Sequence, residues 1–191
     1  MIKMEQVFTR IAAWNQARYK QEYNHTLTMK LLQDEYQEWL TADTDANRVQ
    51  ELCDIMYVAF GAIWKLKIEP TQELVDVCAR DVDSLDEASV LPVGTFISSY
   101  LSSLATAGKV NDHYKLRCLF TIVLLTQAEL MAMGLTFDQT IQAMLILCDS
   151  NDSKPAKKTA SNIKANEGPK DSNYISPIPS LQELLEQCEN S

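Results

Sequence analysis

At 191 residues the chain is long enough for one domain with a sizeable core or for two small fused units. Apolar residues make up 46% and mean hydropathy is -0.17, an ordinary soluble balance that excludes a disordered polyelectrolyte. A formal charge of -9 excludes a basic nucleic-acid surface, and no window approaches the roughly 18 uncharged apolar residues of a membrane span.

Glycine is rare and β-branched alternation is scarce, so an all-α fold is expected. A first helix is predicted from about Met4 to Glu22, with Val7, Phe8, Ile11, Ala12 and Trp14 on or near its apolar side. Thr26 is the expected N-cap of a second helix that turns Met29, Leu32, Tyr36 and Trp39 to the core. After the polar bend Thr41–Asp45 a long third helix spans about Ala46 to Lys67, its buried stripe running from Val49 through Leu52, Ile55, Met56, Ala59 and Ile63 to Leu66. Pro70 suits the start of a fourth helix, and a loop is expected at Asp83–Pro92.

The order then begins again. Phe96, Tyr100, Leu101 and Leu104 mark a short helix, broken by Gly108 and Asn111-Asp112. A long apolar helix follows over Tyr114–Met133, with His113 read as a loop residue, and Thr136-Phe137 opens another helix. A shift of 67 lays Lys67–Pro70 on Gly134–Phe137 and Gln72, Leu74 and Val77 on Gln139, Ile141 and Met144. The expected organisation is a helical unit at 1–83, a degenerate second unit at 84–150 packed on it, and a Lys-containing tail at 151–191. In that tail Ser180 and Glu183 read as the capping box of a short terminal helix.

Two motifs carry the chemistry, Glu35-x-x-Glu38 and Glu51-x-x-Asp54. Spacing at i, i+3 puts both carboxylates of a pair on one helix face, where like charges repel by about a few tenths of a kcal/mol. Two such pairs on neighbouring antiparallel helices converge on one pocket and call for a cation. Hard oxygen donors in that number suit Mg²⁺, with Mn²⁺ as a substitute. The 67-residue shift lays Glu51 and Asp54 on Cys118 and Thr121, and no acidic residue lies between Phe96 and Asn111, so the second unit lacks the site. The five cysteines are scattered and form no C-x-x-C pair, which fits small buried thiols better than zinc ligands or disulfides. The start, Met1-Ile2-Lys3-Met4-Glu5, has no signal-peptide core, and a cytoplasmic location is expected.

Asp34-Glu35-x-x-Glu38 followed by Glu51-x-x-Asp54 resembles the all-α nucleoside triphosphate pyrophosphohydrolase superfamily, which includes MazG-like enzymes, phosphoribosyl-ATP pyrophosphohydrolases and dimeric dUTPases. The resemblance covers residues 5–83. It resumes at Ser150-Asn151-x-Ser153-Lys154, similar to a segment of phage-type MazG-like proteins, and in Gly168-Pro169-Lys170 and Tyr174–Pro177. It departs at Asp34, where the family pattern has Glu, and in the segment 84–149, which typical units lack. It implies a MazG-like bundle, here an internally duplicated pseudo-dimer, that converts an NTP or dNTP to the monophosphate and pyrophosphate and serves nucleotide-pool control. In a phage-encoded protein the location would be the host cytoplasm.

By that resemblance Glu35, Glu38, Glu51 and Asp54 hold Mg²⁺, Glu38 positions or deprotonates the attacking water, and Asn15, Asn151 and Lys154 contact the substrate. The plainer reading makes Trp14 a core residue, Asn15 a surface residue, and Lys157, Lys158, Lys164 and Lys170 solvated tail lysines. A nucleotide is the expected partner, with neither nucleic acid nor membrane, and homo-oligomers of pseudo-dimeric chains are compatible with the arrangement. The alternative from another class is a non-catalytic helical binding or scaffold protein on this fold. A di-iron bundle needs Glu-x-x-His on two helices, and the chain has that spacing only once, at Glu22-x-x-His25.

Overall fold

The structure is a computed structural model that describes residues 4–18, 22–88, 94–107, 111–154 and 173–189. Eight helices run through them: α1 (Met4–Arg18), α2 (His25–Thr41), α3 (Asp45–Leu66), α4 (Gln72–Ala88), α5 (Thr95–Thr106), α6 (Asp112–Ala132), α7 (Phe137–Ser153) and α8 (Ile178–Glu189). No strand occurs among the described residues, so the all-α class expected from the sequence is the class observed.

Local chemistry explains most boundaries and corrects several. The cap of α2 is Asn24 rather than Thr26. Asn24 has extended backbone and its side chain accepts from Leu27 N at 3.0 Å, whereas Thr26 already lies inside the helix. Thr44 caps α3 by accepting from Asn47 N at 3.1 Å, and Lys67 ends it in the left-handed region at φ 56. Helix α1 is described from Met4 to Arg18, and Glu22, expected at its end, lies outside any helix. Helix α4 starts at Gln72, with Thr71 Oγ1 accepting from Leu74 N at 3.3 Å, and continues through the expected loop as far as Ala88. His113 is not in a loop: its N–H donates to Asn111 Oδ1 at 2.9 Å in the first turn of α6.

Gly134, at φ 98, makes the tight break after α6, a conformation a side chain would strain. Thr136 and Gln139 then form a complete capping box for α7. Helix α7 runs past Ser150 to Ser153, so Asn151 sits on its last turn. The terminal helix starts at Ile178, not at a Ser180–Glu183 box. Pro179 in its first turn has no N–H to leave unsatisfied, and Leu181 N donates to Pro177 O at 3.0 Å.

Helices α3 and α6 form the central pair. Helix α2 lies on α3 and α5 on α6, while α4 packs on α6 and α7 on α3; α2 and α5 touch each other. Adding 67 to the bounds of α2, α3 and α4 gives 92–108, 112–133 and 139–155, which lie over α5, α6 and α7. Helix α1 rests on α3 and α7, and α8 covers those same two. The predicted stripe of α3 from Val49 to Leu66 is buried throughout. It packs with Leu32, Ile97, Leu104, Leu119, Ile122, Ile141 and Leu181 in one core cluster, each such side chain contributing about 1.5–3 kcal/mol. Cys53, Cys78, Cys118 and Cys148 are buried free thiols, as expected.

Candidate active site

The bend at 42–44 folds α3 back along α2, so both carboxylate pairs face a shared region. One oxygen each from Glu35, Glu38 and Glu51 can lie within 4.8 Å of one another, with Glu35 and Glu51 half-buried and Glu38 exposed. Gln50 Nε2 donates to Glu51 Oε1 at 3.2 Å. Asp54 stands outside that trio but lines the adjoining pocket together with Glu35. Asp34, the position where the family pattern has Glu, accepts from Lys30 Nζ at 2.9 Å one turn earlier and is not part of the trio.

The donor set fits a hard divalent cation. Three carboxylates this close repel strongly unless a cation or protons compensate, and all the donors are oxygens of the kind Mg²⁺ takes.

From the carboxylate end the pocket extends along one face of α3. Asp54, Val58, Gly61 and Lys65 succeed one another at steps of three or four residues, with Tyr57 and Ala62 beside them. The opposite walls come from α1 through Trp14 and Asn15, from the start of α2 through Leu27, Thr28 and Leu31, and from the end of α7 through Asn151 and Lys154. Thus Asn15, Asn151 and Lys154, far apart in sequence, share one cavity with two of the predicted metal ligands. Trp14 and Tyr57 meet edge to face, centroids 5.5 Å apart, and burial raises the Tyr57 hydroxyl pKa far above its ordinary value.

The structure overturns the plainer reading of Asn15 and bears out that of Trp14 in part, since Trp14 packs against the core. Asn15 is only 4% exposed while Trp14 is half-buried. The physical reason is Gly61, where an added Cβ would stand 3.0 Å from Asn15 Nδ2, so the amide occupies the space a side chain of α3 would fill. A stripe at i, i+4, i+8 on α1 holds the end of α7. Arg10 bridges Asp149 and Asp152 at 2.6 Å each, Trp14 Nε1 donates to Asn151 O at 3.1 Å, and Arg18 Nη2 to Lys154 O at 3.1 Å. The tail returns to the same place, where Ile175 N donates to Ser153 Oγ at 2.9 Å. Lys157, Lys158, Lys164 and Lys170, with the Gly168-Pro169-Lys170 motif, lie outside the described residues.

Sequence reasoning missed Lys65, Tyr57, Gly61 and Thr28 as pocket residues. Lys65 had a legible signal: it lies eleven residues after Asp54, three helical turns along the same face. Burial lowers its pKa.

The family model for phosphoribosyl-ATP pyrophosphohydrolase matches residues 1–80, a span that holds all four carboxylates and Asn15 but neither Asn151 nor Lys154. No curated protein and no solved structure matches the chain. Residues 1–80, less than half of the chain, are therefore similar to phosphoribosyl-ATP pyrophosphohydrolase, a member of the MazG-like, all-α nucleoside triphosphate pyrophosphohydrolase superfamily.

Proposed function

We propose that this protein hydrolyses a nucleoside triphosphate, ribo or deoxy, to the monophosphate and pyrophosphate with Mg²⁺, Mn²⁺ serving as a substitute. The observation that carries the reading is a single pocket with the carboxylates of α2 and α3 at one end and Asn15, Asn151 and Lys154 on its walls. Glu35, Glu38, Glu51 and Asp54 are the residues that would hold the cation. When bound, it supplies charge neutralisation for the phosphate oxygens and the leaving pyrophosphate.

The remaining work falls to side chains. Glu38, the exposed carboxylate, orients the water that attacks phosphorus and takes its proton. Lys154 and Asn151 steady the phosphates or sugar, held in place by the grip of α1 on the end of α7. Trp14 and Tyr57 shield the nucleotide from solvent, and Asn15 lies deeper, toward the base. The matched helix pairings and the common shift of 67 support an internal duplication in which only the first unit keeps the carboxylates.

The test is pyrophosphate release from the common NTPs and dNTPs with Mg²⁺, compared between the wild-type chain and Glu51→Gln. Monophosphate and pyrophosphate in equal amounts, lost in the variant, are expected. Binding of nucleotide without release of pyrophosphate from any of them would favour a non-catalytic binding protein instead.

A further inference from the structure

Asn15 is 4% exposed, and its Nδ2 donates to Ile11 O at 3.0 Å. A carbonyl can only accept, so this bond holds the amide nitrogen on the backbone side, commits one of its two N–H groups there and leaves Oδ1 as the amide's acceptor for a ligand. Among the described residues no donor reaches that oxygen. The amide cannot turn over, because doing so would set Oδ1 against the Ile11 carbonyl.

The next turn of α3 brings Lys65, four residues beyond Gly61 and about 6 Å along the axis, into the same wall. Its ammonium offers donors and no acceptor. In the other direction Asp54 is seven residues before Gly61, about 10 Å of helix rise, which leaves room for a sugar between metal-bound phosphates and a base beside Asn15. Trp14, Tyr57, Val58 and Leu27 offer apolar surface that suits any base, so discrimination falls to the acceptor on Asn15 and the donors on Lys65.

Resting on the reading of this pocket as a nucleotide site, we propose that it selects bases with an N–H beside a carbonyl, as in uracil, thymine and guanine, over cytosine and adenine. Asn15 Oδ1 accepts from the ring N–H and Lys65 Nζ donates to the carbonyl oxygen. Cytosine and adenine present the reverse pattern, a bare ring nitrogen beside an amino group. They would set acceptor against acceptor and donor against donor, a mismatch that a site built around hydrogen bonds rejects strongly.

The experiment compares kcat/KM for dUTP, dTTP and dGTP with that for dCTP and dATP on the full-length protein with Mg²⁺. In parallel, dUMP and dCMP are titrated by tryptophan fluorescence. The carbonyl class should be preferred by about tenfold or more. Lys65→Met should bring dUTP and dCTP toward parity, chiefly through a higher KM for dUTP. Equal kcat/KM across the five substrates would overturn base selection while leaving the hydrolytic function standing. If no triphosphate is hydrolysed, that function falls, and the monophosphates decide the selection: tighter dUMP than dCMP supports it, and equal or absent binding overturns it. The wild-type comparisons hold even if the variant does not fold.

Discussion

The α2–α3 pair and the α5–α6 pair are built alike and equipped differently. Each joins a shorter helix to a long one, each is buried in the same core, and the long helices pack on each other. On α3 the two key positions are Glu51 and Asp54, both half-buried. The positions 67 residues on, Cys118 and Thr121 of α6, are buried, and Thr121 Oγ1 donates to Arg117 O at 3.0 Å. A thiol and a self-satisfied hydroxyl add to the core without help. Carboxylates brought together there need a compensating charge. The scaffold therefore tolerates a charged site but does not require one, and the first pair gives up an electrostatic ease that the second keeps.

The largest expected effect is chelation. If α2–α3 differs from α5–α6 in needing a cation, exhaustive EDTA treatment should abolish pyrophosphate release, and Mg²⁺ should raise the melting temperature of the apo protein. Turnover that persists without metal would erase the distinction between the pairs.

Next comes an asymmetry in mutants. Glu51→Gln and Asp54→Asn should each lower kcat by about a hundredfold or more, equivalent to ~2.7 kcal/mol, with folding intact. Cys118→Ser and Thr121→Ala should stay within a few fold of wild type. Similar losses from both pairs would show that the second unit holds a working site.

A smaller effect sharpens the comparison at Gly61, whose counterpart at a shift of 67 is Ala128. The methyl group that α6 already carries would press on Asn15 if placed on α3. Gly61→Ala should raise KM by about tenfold, because a positioned polar contact is displaced. Stability should change little, since Ala favours a helix over Gly by about 1 kcal/mol and offsets the crowding. An unchanged KM, read from initial rates, would remove Asn15 from the substrate contacts.

The smallest effects concern ion pairs that hold a helix in each unit, Arg10 with Asp149 and Asp152, and Arg117 with Asp81 at 2.7 Å. These groups are substantially exposed, so Arg10→Ala and Arg117→Ala should each cost about 1 kcal/mol or less, a melting shift of roughly 2–4 °C at most. Only Arg10→Ala should also raise KM, since of the two arginines it is the one that helps anchor the turn bearing Asn151 and Lys154. An equal rise in both variants would mean that the grip on α7 has no part in binding.

The sequence by itself determined the helices, the buried stripe of α3, the Thr136 start of α7 and the four carboxylates. These are local facts: periodicity, capping side chains and i, i+3 spacing are written within a few residues of one another. Even so, caps competed at short range, and Asn24 prevailed over the nearby Thr26. What only the tertiary structure decided is which helix covers which face. Periodicity shows that a face of α1 is apolar, but not that Gly61 opens a gap there for Asn15 while Trp14 turns toward the end of α7. Nor can it show that Lys65 closes a pocket with residues from α1 and α7, because partners such as Trp14 and Asn151 lie 137 positions apart and meet only when the bundle packs.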